Sequence, residues 1–331
     1  MDKVRPDIIM EKVYGLFPGL TLLAGLQTDI FSRLDGRFMD VASLAASMAV
    51  NSERLLPLLN ALTACGLLVK SEGKYSNTPE TSAFLVRERS GYNGHILELI
   101  RKILEVVPKT AQTILLNAPQ AKLDWVGLTE AQKQAFQKGQ FHGSVQAGKE
   151  LGDKLDFSDY GRVLDGAGGT GGLAVGLVQK WPAIHVIVAD LPTMVDACRE
   201  RIDGLSLAHR IAVMKADLVN GALQGRYDMV ILRSFLQVLS PESAKSVLRN
   251  IHSALIPGGR LCITGYFVDN SQLYPHKAVA HNLVFLNLYD RGLAHTEAEY
   301  RTWLSGGGFF DIDVRYEVFS DGAGMITAHR K

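Results

Sequence analysis

The 331-residue sequence predicts an α/β protein in which a seven-stranded, doubly wound, mostly parallel sheet follows a mostly helical domain. Three observations carry this reading. Apolar strand patterns at 162–165, 185–190, 211–217, 227–233, 260–268, 309–318 and 323–330 succeed one another, and each of the first five is followed by a helical pattern. The first strand, Arg162 to Asp165, runs straight into the glycine cluster at 166–172. The last two strands flank Ser320-Asp321-Gly322, a hairpin turn, so one of them must run antiparallel to the rest.

Taken in order, the chain opens on helix. Apolar residues recur three and four apart through Val13, Leu16, Phe17, Leu20, Leu23 and Leu26. Short helical patterns at Val41–Ala45 and Ser52–Leu59 precede two short extended stretches, Gly66–Val69 and Gly73–Ser76, which together read as a winged helix. Its second helix is leucine-rich and carries one arginine, Arg54, whereas a groove-reading helix needs basic and amide side chains along an exposed face. Subunit packing is therefore the expected role, with no nucleic-acid partner. The predicted division is a winged-helix-like dimerisation domain at 1–100 and a second domain at 101–331 whose first part, 101–157, is a helical connector.

Composition narrows the function classes. There are 35 basic and 34 acidic residues, a balance that suggests neither a nucleic-acid nor a membrane-surface partner. Cys65, Cys198 and Cys262 form no paired motif, as expected of reduced thiols in a cytoplasmic protein. No signal pattern is present, and no apolar run is read as long enough to cross a bilayer. No cluster with metal-ligand spacing appears, so metal-independent chemistry is expected.

The glycine cluster carries the chemistry. Gly166, Gly168 and Gly171 are expected to allow positive φ and close backbone approach to a ligand, while Asp190, ending the next strand, is placed to accept from ribose hydroxyls. The spacing also fits a dinucleotide fingerprint. Asp165, immediately before the glycines, would repel a pyrophosphate but suits a cationic amino-acid tail. A third acid, Asp217, ends the next apolar run and is placed to accept from an adenine amine. Three acids on successive strand ends favour S-adenosylmethionine over NAD, with Leu191, Leu218, Arg233 and Ser144 as further cofactor contacts.

Leu-Asp-Gly-Ala-Gly-Gly-Thr-Gly at 164–171, Asp190-Leu191-Pro192, Ala216-Asp217-Leu218, Tyr227-Asp228 leading to Leu232-Arg233, the stretch 255–260, and Thr296 to Tyr300 before Gly308-Phe309 together resemble the small-molecule O-methyltransferases of the caffeic-acid and hydroxyneurosporene type. The resemblance covers nearly the whole chain. It implies a class I methyltransferase Rossmann-like sheet, S-adenosylmethionine as donor with S-adenosylhomocysteine as product, a homodimer, and a small-molecule methyl acceptor. It also implies that the pocket is lined by Gln140, Phe141 and His142 of the connector and by His281, Asn282, Leu286 and Tyr289 of the helix after the fifth strand.

The catalytic part departs from that pattern. Where the family reads Leu-[Lys/Arg]-x-x-Leu-His-Asp-Trp, this chain has Gln237 in the histidine's place, and an amide accepts no proton near neutral pH. Where a glutamate usually steadies that histidine stands Ala294. Loss of both favours an acceptor that carries its own nucleophilic pair, such as a thioether sulfur, an amine nitrogen or an electron-rich carbon; sulfonium-forming S-methyltransferases of methylthiohydroxybutyrate are a related precedent. The alternative is an O-methyltransferase with a relocated base, His142 or His281. A winged-helix regulator and a catalyst that binds S-adenosylmethionine without transferring methyl are the competing classes. His252, His276, His295 and His329 read as ordinary helix, loop or surface residues.

Overall fold

The computed structural model describes residues 6–89, 91–93, 95–122, 127 and 129–331, with backbone alone for 95 and 130–138. Two compact units emerge, Met1–Lys102 and Ile103–Lys331, each with its own core.

In the first, α1 (Asp7–Tyr14) and α2 (Phe17–Gln27) are divided by a turn at Gly15 and Leu16. They lead to α3 (Ile30–Arg33), β1 (Met39–Asp40), α4 (Val41–Met48), α5 (Ser52–Ala64), β2 (Leu68–Ser71), β3 (Lys74–Asn77), α6 (Pro79–Phe84) and α7 (His95–Val106), a helix that spans the boundary between the units at Lys102. Side-chain caps set the starts of the central helices. Asp40 accepts from the Ser43 amide and Asn51 from those of Glu53 and Arg54, satisfying N–H groups that a first turn leaves unpaired. Leu26, Phe31, Leu44, Leu59 and Leu62 then close on Tyr75 of the central strand of a β1-β3-β2 sheet. The outer helix differs. No residue of α1 is buried, and Ile8, Ile9, Val13, Tyr14, Leu16 and Phe17 are all exposed. Contrary to the reading that no apolar run is long enough, Asp7–Gln27 has the length and composition to cross a bilayer, and 6% of its most apolar stretch is buried.

The second unit begins with α8 (Thr110–Leu116) and the long α9 (Glu130–Lys154), then alternates β4 (Arg162–Gly166), α10 (Gly172–Lys180), β5 (His185–Asp190), α11 (Pro192–Gly204), β6 (Ile211–Lys215), β7 (Tyr227–Arg233), α12 (Pro241–Ala254), β8 (Leu255–Gly265), α13 (His276–Leu288), α14 (Glu297–Gly306), β9 (Phe309–Arg315) and β10 (Gly324–Arg330). The sheet order is β6-β5-β4-β7-β8-β10-β9. β10 pairs antiparallel with both neighbours, the reversal expected of the terminal hairpin.

Alternation along the strands sorts the core into two layers. Leu164, Val230, Leu232, Leu261 and Ile263 face α12 and α14, where Val247, Leu248, Ile251, Trp303 and Leu304 meet them. Val163, Met229, Ile231 and Cys262 face α9, α10 and α11 through Leu151, Leu177 and Ile202. β5, β4, β7 and β8 are adjacent and parallel, so Asp190, Gly166, Arg233 and Gly265 end on one carboxyl edge, the side where α/β sheets hold ligands.

Glycines bring α9 and α10 unusually close. A Cβ on Gly176 would fall on the Val145 carbonyl and 2.9 Å from the Lys149 amide, one on Gly148 would fall on the Leu173 carbonyl, and one on Gly172 would stand 2.6 Å from the Phe141 carbonyl. Backbone therefore packs on backbone along this seam. The Gly176→Ala substitution should cost about 1–3 kcal/mol of stability, because neither backbone can yield without disturbing its helix. Thermal denaturation followed by circular dichroism should show a lowered midpoint, while Gly204→Ala, with open space around it, should leave the midpoint unchanged or slightly raised.

Candidate active site

The turn after β4 follows the expected outline but divides its labour differently. Positive φ falls on Ala167 (56°), Gly169 (54°) and Gly171 (73°), whereas Gly166 and Gly168 adopt none. Those two are glycine for space. A Cβ on Gly166 would come within 2.8 Å of Leu232 and 2.9 Å of Leu218, and one on Gly168 would come within 2.7 Å of both Asp165 and Val188.

Two carboxylates organise this turn. Asp190 accepts from the Gly169 amide through Oδ2 at 2.7 Å and from the Leu191 amide through Oδ1 at 2.6 Å, tying the ends of β4 and β5 together. Burial raises its pKa, and the two amides oppose the shift. Asp165 is 1% exposed, and its Oδ2 has no hydrogen-bond partner. Burial, then the neighbouring charge of Asp190, pushes its carboxyl up to about 7, with Arg233 pulling the other way. A fully buried carboxylate oxygen without a donor fits a cationic ligand group.

Asp217 is engaged locally. Its Oδ1 accepts from the Val219 and Asn220 amides and its Oδ2 from the Asn220 side chain, which hold its pKa down; lone pairs remain for a ligand donor. Leu218 is buried under the turn, and Leu191 caps α11. Ser144 and Phe141 face the start of α10, where Arg201 lies 4.6 Å over the Phe141 ring. Gln140 and His142 are exposed, and His142 meets Phe141 edge-on.

Around Gln237 the structure assembles a second group. Gln237 lies in a short 3-10 turn, Leu236–Val238, is 5% exposed, and accepts from the Tyr266 amide through Oε1 at 2.6 Å. The Tyr266 ring stacks on His281 with centroids 3.9 Å apart and planes 20° from parallel, and its hydroxyl donates to the Asp321 carbonyl. Arg233 stands 4.0 Å from the Asp321 carboxylate beside Ser234, whose φ of 52° marks a strained strand end. Gln237 and His281 are thus brought together through Tyr266, while no contact among the described residues joins His142 to them.

Tyr266 and Asp321 were missed in the sequence. The signal was a glycine ending a strand directly before an aromatic residue, Gly265-Tyr266. The helix after β8 is largely structural at its other expected positions. The Asn282 side chain accepts from the Ala294 amide at 2.7 Å, and Ala294 is buried among Val268, Ala278 and Phe285. Leu286 is half-buried, and Tyr289 lines a cavity of about 280 Å³ with Lys122, Val238, Leu239 and Leu288. His295 proves buried rather than superficial. Its Nε2 lies 3.2 Å from the Leu239 carbonyl within a cage of Tyr300 and Trp303, and burial lowers its pKa. Among the described residues no three His, Cys, Asp or Glu side chains gather as a metal site would require.

A family model described as an O-methyltransferase domain matches residues 122–310. The 3-hydroxy-5-methyl-1-naphthoate 3-O-methyltransferase of Streptomyces sahachiroi is 26% identical over 98% of this chain and 94% of its own length. The tetracenomycin polyketide synthesis 8-O-methyl transferase TcmO of Streptomyces glaucescens is 25% identical over 93% of this chain and 92% of its own. Human N-acetylserotonin methyltransferase in complex with S-adenosylmethionine shares the fold, with a TM-score of 0.81 at 19% identity over 100% of this chain and 99% of that one.

The burial of Asp165 has a measurable consequence. Its folded pKa of about 7 exceeds the ordinary 3.8, so between those values the folded protein holds a proton that the unfolded chain has released. Stability is therefore greatest below the lower value and declines as pH rises toward the upper one. Asp165→Asn removes this titration. Thermal melts should show the variant gaining on the native protein as pH rises from 4 to 8, and a constant difference across that range would rule the assignment out.

Proposed function

Since the chain belongs to the O-methyltransferase domain family and is an S-adenosylmethionine-dependent methyltransferase, we propose that it methylates a hydroxyl oxygen of a small aromatic metabolite with His281 as the relocated base. The relatives named above are O-methyltransferases, one named for a hydroxynaphthoate, and they support an oxygen acceptor over the sulfur, nitrogen or carbon preferred from the loss of the usual histidine. The observation that carries the reading is the stack of His281 on Tyr266, which brings an imidazole to the group built around Gln237.

The residues present fit the donor. Asp190, whose oxygens keep lone pairs beyond those bound by the Gly169 and Leu191 amides, would hold its ribose, Asp217 and Leu218 its adenine, and the unpartnered Asp165 oxygen its ammonium, with Arg233 and Ser144 alongside. When bound, S-adenosylmethionine supplies an electrophilic methyl on a sulfonium. A phenol with a pKa of about 10 reacts well only as its anion, so His281 would accept the hydroxyl proton at a ring nitrogen as the oxygen attacks. Arg233 would favour an acidic acceptor. The three free cysteines suit a reducing, cytoplasmic compartment.

The test uses 3-hydroxy-1-naphthoate, a thioether and a primary amine as acceptors, with products identified by mass spectrometry and NMR. The O-methyl ether should form, its rate rising with pH on an imidazole-like limb. His281→Ala should lower turnover about a hundredfold to ten-thousandfold and abolish the limb, whereas His142→Ala should do neither. Methyl found only on sulfur or nitrogen would overturn the reading.

We also propose a homodimer, supported by the wholly exposed α1 and the apolar side chains it shares with the start of α2. An uncovered apolar stretch of this kind marks an interface. Sedimentation at micromolar concentration should give about twice the 36.2 kDa chain mass. A monomer, or a species that pellets with vesicles, would contradict it.

A further inference from the structure

We propose that Gln237 is a positioning residue that sets the orientation of His281 by holding the backbone of Tyr266, an inference that rests on His281 being the base. The Tyr266 amide is the first N–H beyond the end of β8, and the 2.6 Å bond from it to Gln237 Oε1 supplies the acceptor that the sheet no longer provides. The contact is built into the main chain. Gly265 sits at φ 151°, and a Cβ there would fall on Gln237 Oε1, so the amide reaches Tyr266 only past a glycine.

Tyr266 is then held at three points: its amide by Gln237, its hydroxyl by the Asp321 carbonyl at 3.2 Å, and its ring face by His281 at 3.9 Å. Phe285 backs both rings, 6.3 Å from Tyr266 and 5.9 Å from His281. A ring anchored at its backbone and its hydroxyl has little freedom to tilt, so the plane it offers His281 follows from those anchors. The first anchor explains why an amide suits position 237. Its carbonyl accepts at every pH, whereas a histidine there would lose its acceptor on protonation near neutrality. Arg233 and Asp321 are the charged groups acting on the Tyr266 hydroxyl, and neither depends on the residue at 237.

The decisive experiment compares Gln237→Met, of similar length without a carbonyl, with Gln237→Glu, which keeps an oxygen acceptor. In the intact protein saturated with S-adenosylhomocysteine, the ring protons of His281, assigned from the missing signals of His281→Gln, should be shifted upfield by the Tyr266 face. Gln237→Met should collapse that shift and lower kcat with 3-hydroxy-1-naphthoate about tenfold to a hundredfold at little change in KM, because a misaligned base loses orientation rather than binding. Gln237→Glu should retain the shift and most of the rate. A Gln237→Met protein that keeps both shift and rate overturns the proposal. So does a Gln237→Glu protein as impaired as Gln237→Met, which would mean that the amide nitrogen is the working group. The shift is read without turnover. An active His281→Ala protein would therefore sink the base assignment alone, while the spectra still decide whether Gln237 positions the ring.

Discussion

The contact between α9 and α10 is made through backbone, and the placing of the glycine turn after β4 depends on it. Gly148, Gly172 and Gly176 remove the side chains that would hold the helices apart, leaving carbonyls of one helix against the other's main chain. α10 begins where the glycine turn after β4 ends, and α9 carries Phe141 and Ser144, so this approach sets how those residues meet the turn. Farther along, the Trp181 indole donates to the Gly152 carbonyl at 3.0 Å and closes the seam. Contacts of this kind have almost no slack, because a helix carbonyl cannot rotate away as a side chain can. A turn seated on such a seam is pre-organised, which suits a site that must receive a charged ligand without rearranging.

That site is costly to the protein without a ligand. Asp165 and Asp190 stand near each other at the ends of adjacent strands, and burial raises the pKa of both. The same negative field, after burial, pushes the neighbouring Cys198 thiol up to about 12. Asp190 recovers part of the cost from two amide donors, whereas one oxygen of Asp165 has none. Polar burial left incomplete at one atom is a common mark of a place completed by something bound. The opposite sign of charge on the donor's sulfonium and ammonium fits that arrangement.

Around Gln237, three side chains are bound to main-chain groups of neighbouring segments. Gln237 lies under the end of β8, the Asn282 side chain accepts from the Ala294 amide, and His295 ties its loop to the Leu239 carbonyl. Each is a bond to the main chain. Such bonds fix loops, and fixed loops hold the Tyr266 and His281 rings in register.

Much of this was legible in the residues alone. The seven strands, the reversed terminal hairpin, the glycine turn and the acids at its rim follow from local patterns, since alternation, turn chemistry and strand-end residues are properties of short segments. The uses of those residues were not. That Gly166 and Gly168 serve close packing while Ala167 takes a positive φ depends on Leu232, Leu218 and Val188 arriving from other strands. The partnership of Gln237, Tyr266, His281 and Asp321 joins four segments with no common motif, so no spacing could announce it. The sequence determined which chemistry the strand ends carry. Only tertiary structure decided which histidine is linked to Gln237 through Tyr266, because that link is made by stacking and hydrogen bonds between residues far apart in the chain.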